Sequence, residues 1–143
     1  MQFAILSFAL ALAPVPATPA EVKVGLFPDL KAKEWVKQDN GMKVWDAKEG
    51  TGEAVKANAS VVVHYVGWLT DGKSFDSSRK RGEPIEFGLN EVIKGWGVGV
   101  VGMKPGGVRR LMIPPELAYG QKDRPGIPAN STLIFEIELI SSK

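Results

Sequence analysis

The chain has 143 residues, enough for one domain with a sizeable core plus an appendage, and its net charge of +2 is too small to predict nucleic-acid binding. The absence of cysteine excludes disulfides, cysteine nucleophiles and thiolate metal sites. Any histidine-rich metal site or Ser-His-Asp triad would depend on His64, the one histidine. We interpret the basic cluster at residues 79–81 as a solvated loop rather than a targeting or phosphate-binding patch.

Residues 1–20 carry no charged side chain, and residues 3–13 are apolar or small. About 20 apolar residues are needed to cross a bilayer, so we expect no stable membrane span here. An apolar run followed by small residues is typical of a secretory signal peptide, with cleavage at residues 15–17 or 18–20. No basic residue precedes the run, so a retained apolar tail stays an alternative. We expect export to the periplasm or extracellular space if the segment is cleaved, and a cytoplasmic or membrane-associated protein otherwise.

Residues 21–40 form an N-terminal extension in which charged and apolar residues mix without a clean period. Asp29 could cap a short helix over residues 29–39. Asn40 and Gly41 mark a turn, and the alternation over residues 42–46 predicts the first strand.

The longest strand signal covers residues 60–69 and ends at Asp71-Gly72, a pair that favours a type I′ hairpin turn. Side chains alternate along a strand, so its two faces are Val61, Val63 and Tyr65 on one side and Val62, His64 and Val66 on the other. If Tyr65 points inward, its hydroxyl needs a hydrogen-bond partner, and Asp76 beyond the turn is a candidate.

The one convincing helix signal covers residues 90–100, where Asn90 can act as the N-cap. Apolar residues at helical spacing then share one side: Val92, Ile93, Trp96 and Val100. The helix also contains Gly95, Gly97 and Gly99, each of which costs about 1 kcal/mol relative to alanine. Because so short a helix cannot be stable alone, we expect a sheet to pack over it.

Further strands are predicted at residues 85–87, 108–113 and 131–140. The last has one apolar face (Leu133, Phe135, Ile137, Leu139) and one mixed face (Ile134, Glu136, Glu138, Ile140), which predicts a sheet buried on one side only. We therefore expect Glu136 and Glu138 to be solvated. The fold class is α+β, with an antiparallel sheet of about five strands covering one short α-helix.

Aromatic residues come from almost every predicted element: Tyr65, Phe75, Phe87, Trp96, Tyr119 and Phe135. Each alone is best interpreted as core. As a set they include two hydroxyls, and Phe75 is followed by the carboxylate of Asp76. An apolar pocket with a few convergent polar groups is the usual form of a small-ligand site.

Five motifs resemble the FKBP-type peptidyl-prolyl cis–trans isomerases, the macrolide-binding immunophilins, in the order and spacing of that family. They are Val-His-Tyr-Val-Gly-Trp-Leu-Thr-Asp-Gly at residues 63–72, Phe-Asp-Ser-Ser-Arg at 75–79, Glu-Val-Ile-Lys-Gly-Trp at 91–96, Ala-Tyr-Gly at 118–120 and Thr-Leu-Ile-Phe-Glu at 132–136. The resemblance, closest to short bacterial-type members, covers residues 41–140. It implies a strongly curved sheet around the helix and an isomerase domain at residues 41–143.

The resemblance also implies a prolyl pocket lined by Tyr65, Phe75, Asp76, Phe87, Val92, Ile93, Trp96, Tyr119, Ile127 and Phe135. Trp96 would form the floor, while Tyr119 and the backbone N–H of Ile93 would donate to substrate carbonyls. Tyr65 and Arg81 would hold Asp76. The loop after Tyr119 is one residue shorter than in some relatives.

The implied function is isomerisation of X-Pro bonds in unfolded or folding polypeptides, with macrolides as expected inhibitors and no cofactor, metal, nucleic acid or membrane span. We expect a monomer. The alternative is a catalytically weak proline-peptide binding module or folding chaperone. A hydrolase using Asp76 and His64 is disfavoured, because strand parity puts His64 on the face opposite Tyr65.

Overall fold

The computed structural model describes residues 23–143, so the predicted signal segment at residues 1–20 lies outside the described part of the chain. Within that part, seven antiparallel strands form one sheet: β1 (Val36–Lys37), β2 (Lys43–Lys48), β3 (Ser60–Leu69), β4 (Ser74–Ser77), β5 (Ile85–Gly88), β6 (Val108–Ile113) and β7 (Leu133–Ser142). Two short helices, α1 (Ser78–Arg81) and α2 (Lys94–Gly99), and a 3-10 turn (Pro115–Leu117) complete the elements. None of the helices in residues 23–143 is long and apolar enough to span a bilayer.

The strands follow the order β1-β2-β6-β7-β3, and β3 then pairs with both β4 and β5. Strand β5 pairs with the first half of β3, and β4 pairs with its second half. The predicted α+β fold is therefore confirmed, with β1 and β4 added to the five predicted strands. Strands β3 and β6 have the predicted bounds, but neither alternates strictly in burial, since residues 65–68 of β3 and residues 110–111 of β6 are buried on both faces.

The helix predicted over residues 29–39 is wrong. Turns and strand β1 occupy this stretch, and Val36 pairs with Val44 of β2. Instead of capping a helix, Asp29 accepts hydrogen bonds from the Lys31 backbone N–H through its carboxylate and from the Trp35 indole through its carbonyl. Tertiary packing of this segment against the sheet has overridden the local capping signal.

The helix predicted over residues 90–100 forms, but it begins four residues later, at Lys94. Asn90 is not its cap: Ile93 is the N-cap residue, and its carbonyl accepts hydrogen bonds from the N–H groups of Trp96 and Gly97. Two of the helix glycines allow close approach to the sheet. A Cβ atom on Gly95 would lie 2.5 Å from the side chain of Ile113, and on Gly99 it would lie 2.7 Å from that of Leu111.

The predicted type I′ turn is also wrong. Of the pair Asp71-Gly72, only Gly72 has a positive φ, at 90°. Leu69 closes a three-residue loop, because its carbonyl accepts from the Gly72 N–H at 3.0 Å and its own N–H donates to the Lys73 carbonyl at 2.9 Å. This arrangement is a type I turn followed by a left-handed glycine, the next most common hairpin connection.

The inner face of the sheet wraps helix α2, as the glycine-rich sequence of that helix predicted. Trp96 and Val100 of the helix are 4% and 0% exposed. They belong to the main core, together with inward-facing residues of four strands: Val61, Val63, Tyr65, Leu111, Ile113, Leu133, Phe135, Ile137 and Leu139 on β3, β6 and β7, with Ile85 and Phe87 of β5 packed against them.

The outer face of the sheet is covered as well, so the prediction of a sheet buried on one side only is wrong. Val66, Trp68 and Ile134 form a second apolar cluster, and residues of the N-terminal extension pack on it (Leu30 and Trp35, with Met112 of β6). Phe27 adds an edge-to-face contact with Trp68 at 5.7 Å between ring centroids. The extension therefore supplies the cover that the mixed face of β7 requires.

Glu136 was predicted to be solvated, and this is wrong. It is 1% exposed and forms an ion pair with Arg110, whose Nε lies 3.2 Å from Oε2. The second carboxylate oxygen accepts a hydrogen bond from the backbone N–H of Gly25 at 2.6 Å. Glu138, by contrast, is partly exposed and pairs with Arg79 at 2.6 Å.

The basic cluster at residues 79–81 forms helix α1 rather than a loop. Ser77 caps it by accepting from the Lys80 N–H, and Gly82 ends it with a φ of 83°. Both arginines of the helix form ion pairs, Arg79 with Glu138 and Arg81 with Asp76. The helix therefore serves to place Arg81 beside β4.

Candidate active site

A cluster of aromatic rings lies where helix α2 meets strands β3, β5 and β7. Trp96 is its centre, at 5.3 Å from the rings of Tyr65 and Phe87 and at 5.4 Å from that of Phe135. Phe75 of β4 extends the cluster through an edge-to-face contact with Phe135 at 5.6 Å. Such pairs contribute about 0.5–1.5 kcal/mol each beyond area burial, so the cluster is a rigid wall.

Gly67 of β3 lets two of these rings meet. Its strand partners are Asp76 of β4 on one side and Phe135 of β7 on the other. A Cβ atom here would lie 2.6 Å from the Phe75 ring and 2.8 Å from the Phe135 ring, closer than side chains tolerate. The glycine of the Tyr-Val-Gly sequence is therefore a packing requirement of the cavity wall.

The aromatic cluster opens onto a cavity of about 370 Å³. Its lining residues are Tyr65, Phe75, Asp76, Phe87, Glu91, Val92, Ile93, Trp96, Tyr119, Arg124 and Phe135. Nine of the eleven site residues predicted from the sequence are in this set. Trp96, the predicted floor residue, is 4% exposed and contacts three other rings.

The two other predicted residues, Arg81 and Ile127, do not line the cavity. Arg81 lies behind Asp76 and contacts the cavity wall only through it and Tyr65. Ile127 is 6% exposed and belongs to the main core. In the loop after Tyr119, two backbone hydrogen bonds of 2.8 Å pair Ile127 with Arg124, and it is the arginine that lines the cavity.

The polar part of the wall is a three-residue network. The Tyr65 hydroxyl donates to Oδ2 of Asp76, while Arg81 donates to Oδ1 of Asp76 at 2.5 Å and to the Tyr65 oxygen at 3.3 Å. The Ser77 backbone N–H also donates to Asp76, at 2.9 Å. The carboxylate thus has three hydrogen-bond donors, which fix its orientation beside the rings.

The titration behaviour of the network follows from these contacts. Burial raises the pKa of the Tyr65 hydroxyl, and the hydrogen bond to Asp76 raises it further. Burial alone would raise the pKa of Asp76, but the hydrogen bonds from Tyr65 and Arg81 hold it below its ordinary value of 3.8. Around neutral pH the tyrosine is therefore a neutral donor and the aspartate a charged acceptor.

Two hydrogen-bond donors at the cavity have no protein acceptor among residues 23–143: the hydroxyl of Tyr119 and the backbone N–H of Ile93. Tyr119 follows the 3-10 turn and is half-buried, and its ring packs under Arg124. Ile93 precedes helix α2 in an extended conformation, with φ −56° and ψ 150°. Both are available to a bound peptide.

His64 lies away from these groups, as strand parity predicted. Its Nδ1 is 3.0 Å from the Ser78 hydroxyl, which also accepts a hydrogen bond from the Tyr65 backbone N–H at 2.7 Å. The histidine therefore joins β3 to helix α1 on the face opposite the cavity.

Two lining residues, Glu91 and Arg124, were not predicted from the sequence as site residues. Glu91 belongs to one of the quoted motifs, at residues 91–96, but was given no role there. Arg124 lies in a loop without periodicity, and the one signal that could have found it is its place between Tyr119 and Ile127.

Comparison with known proteins identifies the family of the chain. A family model described as FKBP-type peptidyl-prolyl cis-trans isomerase matches residues 51–140. The chain is 53% identical over 110 residues to FK506-binding protein 4 of Aspergillus fumigatus, covering 76% of this chain and 22% of that protein. It is 55% identical over 94 residues to the FKBP-type peptidyl-prolyl cis-trans isomerase FkpA of Escherichia coli, covering 66% of this chain and 35% of FkpA.

Solved structures agree. The crystal structure of FkpA from Escherichia coli has a TM-score of 0.75 at 49% identity, covering 79% of this chain and 53% of that one. A peptidyl-prolyl cis-trans isomerase from Pseudomonas syringae pv. tomato has a TM-score of 0.72 at 37% identity, covering 79% and 84%. The chain thus spans about a fifth to a third of the length of the curated relatives described above, and most of the Pseudomonas chain.

Proposed function

The chain belongs to the FKBP-type peptidyl-prolyl cis–trans isomerase family, and from this we propose that it accelerates the isomerisation of X-Pro bonds in unfolded or folding polypeptides. The observation that carries the proposal is the aromatic cavity of about 370 Å³, in which the Tyr119 hydroxyl and the Ile93 N–H, which have no acceptor in residues 23–143, accompany the ring of Trp96. A proline ring is apolar, and the carbonyls beside it are acceptors. The cavity offers an apolar surface for the ring and hydrogen-bond donors for the carbonyls.

The chemistry needs no covalent intermediate. Amide resonance opposes rotation with a barrier of about 18–20 kcal/mol. The planar amide has a larger resonance dipole than the twisted one, so transfer into a dry cavity favours the twisted form. Donors aimed at a carbonyl can add selective stabilisation of the transition state. A millionfold acceleration requires only about 8 kcal/mol.

We assign the side chains to roles on this basis. Trp96 supports the proline ring, and Phe75, Phe87, Val92 and Phe135 exclude water. Tyr119 and the Ile93 N–H bind substrate carbonyls. Asp76 is a positioning residue with Tyr65 and Arg81, because its carboxylate is fully occupied by donors of the protein itself.

Macrolides should occupy the same cavity. The curated relative from Aspergillus fumigatus is named for binding FK506, and the aromatic lining gives an apolar macrolide ring a matching surface. We propose that FK506 inhibits this chain by competing with proline peptides, and that the chain acts as a monomer.

The test is a protease-coupled assay on a proline tetrapeptide, with FK506 as the inhibitor control. Phe135→Ala and Asp76→Ala should lower kcat/KM by at least about tenfold, since each opens or disorders the cavity wall. Asp46→Ala is the matched control, because it removes an aspartate–arginine pair that joins strands β2 and β6 and does not line the cavity. Wild-type protein at the uncatalysed rate would refute the proposal. If that protein still suppressed aggregation of an unfolded client, the alternative of a binding module or chaperone would replace it.

Residues 1–20 support a separate proposal, export of the chain after cleavage of a signal peptide. Mass spectrometry of the native protein tests it. The expected mass is that of a chain beginning near residue 18 or 21. The mass of a chain beginning at Met1 would refute the export proposal.

A further inference from the structure

Arg124 lies at the candidate site although none of the quoted motifs contains it. Its guanidinium carbon is 4.7 Å from the centroid of the Tyr119 ring, a cation–π contact. Its backbone is fixed to the core, because the two hydrogen bonds of 2.8 Å that pair it with Ile127 attach it to a residue only 6% exposed. The loop is closed further by the Asn130 N–H, which donates to the Gly120 carbonyl at 2.8 Å. The backbone of Arg124 is therefore fixed, and the contact with Tyr119 restricts its guanidinium before any ligand binds.

The charges of the cavity make Arg124 distinctive. Three of the lining residues have charged side chains: Asp76, Glu91 and Arg124. Asp76 is neutralised by Arg81 at 2.5 Å. The carboxylate of Glu91 is turned toward Gly88, where a Cβ atom would meet its Oε1 at 2.7 Å. Neither Arg124 nor Glu91 has an ion pair with any residue in 23–143, and Arg124 presents its positive charge beside Tyr119.

From this arrangement we infer that Arg124 is a specificity residue, which favours X-Pro substrates whose residue X carries a carboxylate. The inference rests on the proposed isomerase function. Tyr119 is the proposed donor to a substrate carbonyl, and residue X contributes the carbonyl of the bond that rotates. The side chain of X then lies next to the guanidinium that packs on Tyr119.

A carboxylate is the group that such a guanidinium binds best, because its two oxygens match the paired N–H donors of arginine. The cation–π contact has already restricted the arginine side chain, which reduces the entropy lost on binding. Arg124 is exposed, so the gain is that of a solvent-screened pair, about two- to fivefold in kcat/KM at low salt.

The experiment compares two peptides that differ only in Glu or Gln before proline, which are nearly isosteric. Rates are measured by NMR exchange without a coupling protease, so that protease preference does not enter. The wild-type ratio of kcat/KM for Glu over Gln should exceed that of Arg124→Gln by about two- to fivefold at low salt, and Arg124→Glu should reverse the preference. About 1 M salt should abolish the difference.

Lys122→Gln is the matched control, since it removes the same charge from the same loop at a residue that does not line the cavity. It should keep the wild-type ratio. Equal Glu/Gln ratios in wild type and Arg124→Gln, with catalysis intact, would overturn the inference and leave the isomerase proposal standing. If Lys122→Gln changes the ratio as much as Arg124→Gln, the preference comes from the general field of the loop, and the inference fails. Uncatalysed rates for both peptides in the wild type would instead refute the isomerase function itself.

Discussion

Replacing Glu136 with glutamine should strongly destabilise the domain. The substitution keeps the shape of the side chain and an acceptor for the Gly25 N–H, but it removes the charge that neutralises Arg110. Arg110 is 5% exposed and also lies over the Trp45 ring, with its guanidinium carbon 4.4 Å from the centroid. The arginine cannot reach water without displacing the tryptophan or the extension.

The magnitude follows from burial. The side chains of the pair are 6% and 0% exposed, so the variant leaves an uncompensated charge in the interior. Breaking such a buried pair costs about 3–5 kcal/mol. A domain of this size has a free energy of unfolding of about 5–15 kcal/mol, so the loss should be a large fraction of the total.

The assay is urea denaturation followed by tryptophan fluorescence, with Glu138→Gln as the matched control. Glu138 lies two residues along the same face of β7, and its pair with Arg79 has side chains 34% and 29% exposed. Its loss should cost about 1 kcal/mol or less. Replacing both partners with apolar residues, as in Arg110→Met with Glu136→Leu, should recover much of the stability. Equal losses for Glu136→Gln and Glu138→Gln would refute the reasoning.

Two further predictions concern the candidate site. Because Tyr65 and Arg81 lower the pKa of Asp76 below 3.8 in the folded state, its carboxylate adds stability that is present above that pH and is lost as pH falls through the folded-state pKa. Tyr65→Phe should raise that pKa, so an NMR titration of Asp76 should move to higher pH and the acid-induced loss of stability between about pH 6 and about pH 2 should shrink; an unchanged titration would contradict the network. Gly67→Ala should force the Phe75 and Phe135 rings apart, with an expected loss of about 1–3 kcal/mol of stability and a reduced kcat/KM in the peptide assay. Wild-type stability and wild-type kcat/KM would show that the two rings separate without an energetic penalty, and would contradict this prediction.

The sequence predicted those parts of the fold in which one residue pattern has one structural meaning. The strand signal that ends at Asp71-Gly72 located β3 to the residue, alternation located β6, and the glycines of α2 predicted a covering sheet. The start of α2 was misplaced because Asn90 is a good cap in isolation, whereas the chain makes a turn at Glu91, whose N–H donates to the Gly88 carbonyl.

The outer face could not be predicted, for a different reason. Alternation indicates that the Glu136 side chain points away from the inner core, but it does not indicate whether that side chain contacts water or other residues. Its partner Arg110 is 26 residues away in sequence, and the cover comes from an extension that has no period of its own. Arg124 escaped notice similarly, since a charged residue in a loop carries no pattern that distinguishes a cavity wall from solvent.

Strands β3 and β7 contribute side chains to both faces of the sheet, so packing on the outer face affects the candidate site. Tyr65 and Phe135 enter the cavity wall, while their neighbours Val66 and Glu136 lie in the outer layer. Because adjacent residues of a strand share one backbone, a cover that holds Val66 and Glu136 also limits the movement of the two cavity rings. In the proposed isomerisation these rings stay in position while a substrate amide twists against them, so the buried outer layer would contribute the stiffness that an open, solvated sheet face lacks.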